Sequence, residues 1–133
     1  MEFNIDWLAG FFDGEGSIGV YPRNYSRDKK TRYYVLVVSL AQSGNIGKEI
    51  CDRLKAVYGG TVYLGKSKTK PQWKWNISAD IAANFLYSIK PYLHNKKEEA
   101  ELGFVFQSIN NKRSDSEEAT EIANKIKQCK VDY

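Results

Sequence analysis

The chain of 133 residues carries 20 Lys and Arg against 16 Asp and Glu, a net charge of +4. That length supports one domain with a real core but leaves little room for two symmetric sites in one chain. No apolar run approaches a membrane span, and Met1 is followed by acidic and polar residues rather than a signal peptide, so an intracellular, non-secreted protein without a membrane partner is expected. Cys51 and Cys129 lie far apart without CxxC spacing and read as buried, reduced thiols. His94 has no Cys or His neighbour, which argues against zinc and for a surface or capping role. The charge is segregated: residues 21–74 hold 12 basic residues against Asp28, Glu49 and Asp52, giving +9, and the remainder carries −5. Tyr21, Tyr25, Tyr33, Tyr63, Trp73 and Trp75 interleave that basic span, a pattern that favours nucleic acid over a merely solvated surface.

In chain order, Asn4 or Asp6 can cap a short helix that Ile5, Trp7, Leu8, Phe11 and Phe12 make apolar almost all round, which predicts burial. Gly14 and Gly16 are expected to end it. Asp13 and Glu15 then fall at the C-terminal end, where the helix dipole already disfavours carboxylates. A hard divalent cation such as Mg²⁺, which takes carboxylate and carbonyl oxygens together, would explain them. Ala9, Gly10 and Gly14 put small residues on one face, so that a second backbone, most simply a copy of this helix, can come close.

Residues 17–23 alternate, with Ile18 and Val20 predicted inward and Gly19, Tyr21 and Arg23 outward. A basic loop (24–32) leads into a strand over 33–42, whose core face is Tyr34, Leu36, Val38 and Leu40 and whose outer face is Tyr33, Val35, Val37 and Ser39. Ile46, Ile50, Leu54 and Val57 recur at helical spacing until Gly59-Gly60. A second hairpin pairs 61–65 with 72–78 around the basic turn 66–71. Its inner face is expected to hold Val62, Leu64, Trp73, Trp75 and Ile77, its outer face Tyr63, Gln72, Lys74 and Asn76. The two tryptophans are assigned to packing. Ser78 reads as the cap of a helix striped by Ile81, Phe85, Leu86 and Ile89 and closed by Pro91. Leu102, Val105, Phe106 and Ile109 fit another helix, and Ser114 with Glu117 reads as the capping box of a last one carrying Ile122 and Ile126. The fold class is α+β, two antiparallel hairpins with helices on one face, in a single domain over 1–133 whose core runs to about 109 with a C-terminal helix over about 114–130.

Leu8-Ala9-Gly10-Phe11-Phe12-Asp13-Gly14-Glu15-Gly16 resembles the signature of the LAGLIDADG homing endonucleases, with Glu15 where Asp is also common. The resemblance covers about the first 105 residues and implies an αββαββα core whose sheet is a curved DNA-binding surface. The signature occurs once, which resembles the single-motif, homodimeric branch, with Leu8, Ala9, Gly10, Phe12 and Asp13 implied at the dimer interface. The implied activity is site-specific, Mg²⁺-dependent (or Mn²⁺-dependent) cleavage of both strands of a long near-palindromic DNA across the minor groove, leaving 3′ overhangs. Glu15 and the Gly14 carbonyl are the implied metal ligands. Gln42 matches the water-positioning place and Lys96 the lysine place of the catalytic set, although Lys97 is adjacent.

On the DNA side, Tyr21, Arg23, Tyr33, Ser39, Tyr63, Lys74 and Asn76 can face the major groove, and Arg27, Arg32 and Gln72 are also assigned to DNA contact. Lys29, Lys30, Lys66, Lys68 and Lys70 at the hairpin tips would position phosphates. Val35 and Val37 on this face imply either contact with thymine methyls or a register slipped by one residue. The alternative reading is a DNA- or RNA-binding relative without cleavage, such as an intron maturase, which has no need of Glu15.

Overall fold

In the computed structural model, which describes residues 4–24, 32–66 and 71–131, the chain runs α1 (Ile5–Glu15), β1 (Gly16–Asn24), β2 (Arg32–Ser43), α2 (Gly44–Tyr58), β3 (Thr61–Gly65), β4 (Gln72–Ser78), α3 (Ala79–Ile89), α4 (Lys97–Ser108) and α5 (Glu117–Val131). A 3₁₀ turn, Lys90–Tyr92, holds Pro91 and separates α3 from α4. The two expected hairpins form one antiparallel sheet in the order β1-β2-β4-β3, joined by β2 against β4. The α+β class holds. Among the described residues no helix is long and apolar enough to cross a membrane.

Strand alternation decides which face is covered. Ile18, Val20, Leu36, Val38, Leu40, Trp75 and Ile77 are buried on the inner face, where they meet Leu8 and Phe12 of α1, Leu54 of α2, Phe85 and Leu86 of α3 and Phe106 of α4 in one core. Phe85 sits at its centre, edge-on to Phe12, Tyr58 and Trp75 with ring centroids 5.0–5.4 Å apart. The Trp75 indole N–H donates to the Gly59 carbonyl at 2.9 Å, which satisfies the polar end of a fully buried ring. Val35 pairs with Tyr21 and Val37 with Gly19, so the register has not slipped and both valines lie half-buried on the outer face.

Helix rotation departs from the expected stripes. In α2 the buried residues are Gly47, Cys51 and Leu54, while Ile46 and Val57 are exposed. The cause is Gly47, which passes so close to Gln42 that a Cβ there would come within 2.8 Å of its backbone. Likewise Gly103 turns α4 inward against the sheet, leaving Val105 exposed, and α3 buries Ala82 and Ala83 rather than Ile81. Leu64, near the tip of edge strand β3, is also exposed. Gly14 does not end α1, which continues to Glu15, with Gly16 as its cap in an extended conformation. Asn4, not Asp6, is the N-cap, accepting from the Trp7 N–H at 3.1 Å. Ser78 stands at the N-cap of α3 without a side-chain capping bond. The cap of α5 is Ser116, whose hydroxyl accepts from Ala119 N–H, because Ser114 is drawn into the sheet, its N–H donating to the Arg32 carbonyl at 2.9 Å. Ile122 and Ile126 are buried as expected. Cys51 is buried as expected and Cys129 only half-buried, neither in a disulfide; burial, with Asp52 nearby, pushes the Cys51 thiol up.

A Cβ at Gly103 would lie 2.9 Å from a methyl of Leu86 and 3.1 Å from a methyl of Leu36. Gly103→Val is expected to cost roughly 1–3 kcal/mol by overpacking, despite its better helix propensity. The midpoint of urea denaturation measures it, and an unchanged midpoint would show α4 to be loosely seated.

Candidate active site

The site is built at the C-terminal end of α1, a helix with two different faces. Leu8, Ala9, Phe12 and Asp13 are buried within the protomer. Gly10 and Gly14 are exposed, and a Cβ added at either would meet nothing within 4 Å. Trp7 is 48% exposed beside them, stacked on Phe11 at 5.1 Å. Of the five residues expected at an interface, only Gly10 therefore projects from the protomer, and the open face adds Trp7 and Gly14.

Asp13 explains half of the anomalous charge. It is 8% exposed, and its carboxylate accepts the backbone N–H groups of His94 at 2.6 Å, Asn95 at 3.2 Å and Lys96 at 3.0 Å. It thus covers the free donors that lead into α4, where negative charge is favoured. Lys96 completes the clasp by donating its ammonium to the Asp13 carbonyl at 2.6 Å, one of the unsatisfied acceptors at the end of α1. His94 contributes its backbone and its side chain is exposed, as expected of a surface position.

Glu15 is left over. It is exposed two residues beyond Asp13, and Gln42, at the end of β2, donates its amide to it at 3.4 Å and to the Ala41 carbonyl at 2.8 Å. Glu15, Gln42 and Lys96 come from three elements, yet all converge on the same end of α1. Among the described residues, the exposed carboxylate at this end of the helix is the group open to a divalent cation. Both Asp13 oxygens are engaged, and among the described residues no group of three or more His, Cys, Asp or Glu could hold a metal. One protomer therefore offers the Glu15 carboxylate and the neighbouring carbonyl of Gly14. That is enough for Mg²⁺ bound through one or two carboxylates with water and phosphate oxygens completing the shell.

A cleft of about 190 Å³ leads from Glu15 onto the outer sheet face, past Ser17, Ser39, Tyr63, Lys74 and Asn76. Register sets rows across that face: Thr61, Asn76, Ser39 and Ser17 in one, Tyr63, Lys74 and Ala41 in the next, Arg23 and Tyr33 at the far end. The Asn76 amide donates to the Tyr63 hydroxyl at 3.1 Å, so the two act as one polar unit. Tyr21 lies flat over Gly19, where a Cβ would strike its ring at 2.3 Å, and the Arg23 guanidinium sits 5.8 Å from the Tyr21 ring. A shallow depression of about 460 Å³ bounded by Arg23, Val35, Val37, Thr61, Asn76 and Ile81 occupies the middle. Arg32, Lys66 and Gln72 are exposed near the hairpin ends, while Arg27, Lys29, Lys30, Lys68 and Lys70 lie outside the described residues. Ser17 and Thr61, which share the row with Asn76 and Ser39, are missing from the expected set. Only the pairing of strands distant in sequence brings them there.

The model of the LAGLIDADG endonuclease family matches residues 8–105. No curated protein sequence matches the chain. Among solved structures, the chain is similar to the homing endonuclease I-CvuI in complex with the I-CreI target in the presence of Mg, with TM-score 0.74 and 18% identity over 94% of this chain and 80% of that one. It is similar to the homing endonuclease I-TnaI with TM-score 0.69 and 16% identity over 99% of each chain. Its likeness to the meganuclease I-SmaMI bound to uncleaveable DNA has TM-score 0.65 and 20% identity over 96% of this chain but 44% of that one. At such identities these likenesses speak for the fold; the signature and the match along most of the chain speak for descent. The chain belongs to the LAGLIDADG endonuclease family.

Proposed function

We propose that the protein is a site-specific DNA endonuclease that acts as a homodimer on a long near-palindromic duplex, hydrolysing one phosphodiester in each strand across the minor groove to leave 3′ overhangs. The observation that carries this reading is the exposed Glu15, standing between an unfilled, glycine-notched helix face and a polar sheet face, with Gln42 bonded to it and Lys96 fixed on the carbonyl of Asp13 at the same helix end. Pairing α1 with its copy about a two-fold axis would bring two Glu15 side chains together and join two sheets into one surface. Gly10, Gly14 and Trp7 are the residues that such a pairing would use.

In this reading the outer rows, Tyr21, Arg23, Tyr33, Ser39, Tyr63, Lys74 and Asn76, contact the major groove. Glu15 and the Gly14 carbonyl would hold a divalent cation, Mg²⁺ or Mn²⁺, which would polarise the scissile phosphate and stabilise the leaving 3′ oxygen. The Gln42 amide orients the attacking water through the oxygen it leaves free. The Lys96 ammonium, fixed on the Asp13 carbonyl, keeps positive charge near the developing phosphorane. Asp13 is a positioning residue, because its three backbone partners include Lys96 itself.

Three experiments test this reading. Glu15→Gln is expected to lower cleavage of a target selected from duplex libraries with Mg²⁺ by at least about 10²-fold while affinity stays within a few-fold. Wild-type protein that binds its target but cuts no duplex with any divalent cation would instead favour the non-cleaving binder.

Gly14→Leu adds a side chain whose Cβ would meet nothing from the rest of the protomer within 4 Å, and it should raise the intrinsic helix propensity by up to about 1 kcal/mol. Any loss of dimer is then an intermolecular effect. Light scattering should report the protomer mass for this variant and twice that mass for wild type; a dimeric, active Gly14→Leu protein would remove the helix-pairing argument.

Asp13→Asn removes the charge and one acceptor oxygen from three part-buried amide donors. It should cost about 2 kcal/mol in urea denaturation and slow cleavage of bound DNA more than it weakens binding. Equal kcat at saturating target would exclude the positioning role.

A further inference from the structure

Residues 112–114, beyond the family match, pair with β2. The Tyr34 N–H donates to the Lys112 carbonyl at 2.7 Å and the Ser114 N–H to the Arg32 carbonyl at 2.9 Å, which sets Tyr33 opposite Arg113 in an antiparallel bridge. The segment fits there because β4 covers β2 only from Val37 onward, leaving the edge of Arg32–Tyr34 open. Opposed residues of an antiparallel pair send their side chains to the same face. Tyr33 is on the outer face, where it also pairs with Arg23 of β1. Arg113 is therefore outward too, third in a row of Arg23, Tyr33 and Arg113.

The neighbouring residue agrees with this assignment. Lys112 turns inward, its ammonium 5.7 Å from the ring of buried Phe106 and bonded to the Ile109 carbonyl. Among the described residues the Arg113 guanidinium pairs with Asp115 at 3.3 Å, with side chains 52% and 70% exposed. Such a pair is worth little in water, so a better acceptor can replace it. A planar fork on a sheet face suits a phosphate or the O6/N7 edge of guanine.

We propose that residues 112–114 are a part of the DNA-binding surface and that Arg113 contacts the duplex at the end of the sheet far from Glu15. The seven steps of β1 from Gly16 to Arg23 span roughly 23 Å, at most about seven base-pair rises from the cut. The proposal rests on the reading of the protein as a DNA endonuclease.

The test uses the full chain and a target selected with wild type, titrated in metal-free buffer by fluorescence anisotropy at several salt concentrations. Arg113→Ala is expected to weaken binding about tenfold, and Arg113→Glu more. A phosphate contact would lower the salt slope by about one and spare base preference; a guanine contact would relax preference at one outer base pair in a repeat selection. Lys127→Ala, an exposed lysine of α5, is the control for bulk charge and should bind as wild type does. If both Arg113 variants match wild type in affinity, slope and preference, the proposal is wrong. If wild type binds no duplex at low salt, the endonuclease reading itself fails, and this proposal with it.

Discussion

The carboxylate of Asp13 does for the start of α4 what a capping side chain does for its own helix, across 81–83 residues of sequence. Three amide donors on one ionised acceptor, closed by an ammonium on the same residue's carbonyl, make a joint that is directional at four points. Each such bond to a charged group is worth more than a neutral one, about 1.5–3 kcal/mol. The joint also removes Asp13 from any other duty. Glu15, two residues on, is consequently the carboxylate at this end of α1 that solvent, cation and phosphate can reach.

The same helix divides its other residues as sharply. Leu8, Ala9 and Phe12 belong to the protomer's core, and Gly10 and Gly14 belong to nothing within it. Two glycines in a helix interior are each about 1 kcal/mol worse than alanine, so the fold of one protomer does not account for them. Close approach by another backbone, as in the proposed pairing, would account for them, and stacked Trp7 and Phe11 extend the same surface.

Strand periodicity was legible in the sequence because it is local: the inward set of β1, β2 and β4 follows from alternation alone. The signature located the end of α1 for the same reason, since its nine residues are contiguous. What was not legible depends on close approaches between distant segments. Gly47 against Gln42 rotates α2 away from the Ile46 stripe, and Gly103 against Leu36 and Leu86 rotates α4 away from Val105. Ser114 looks like a helix cap until its N–H is seen to serve Arg32, two residues before the true cap at Ser116. The resemblance implied Leu8 and Phe12 at a dimer interface, whereas both are fully buried in the protomer; an all-round apolar helix predicts burial but not which side its own sheet will take.

The unfilled face of α1 has a kinetic consequence. If the proposed pairing holds, with one Glu15 per protomer, a break in both strands would require two chains on one duplex at once. Below the dissociation constant of the pair, the rate of such breaks would rise with the square of protein concentration rather than in proportion to it. A cell holding few copies would then carry almost no double-strand damage, and a modest rise in expression would be enough to switch the activity on.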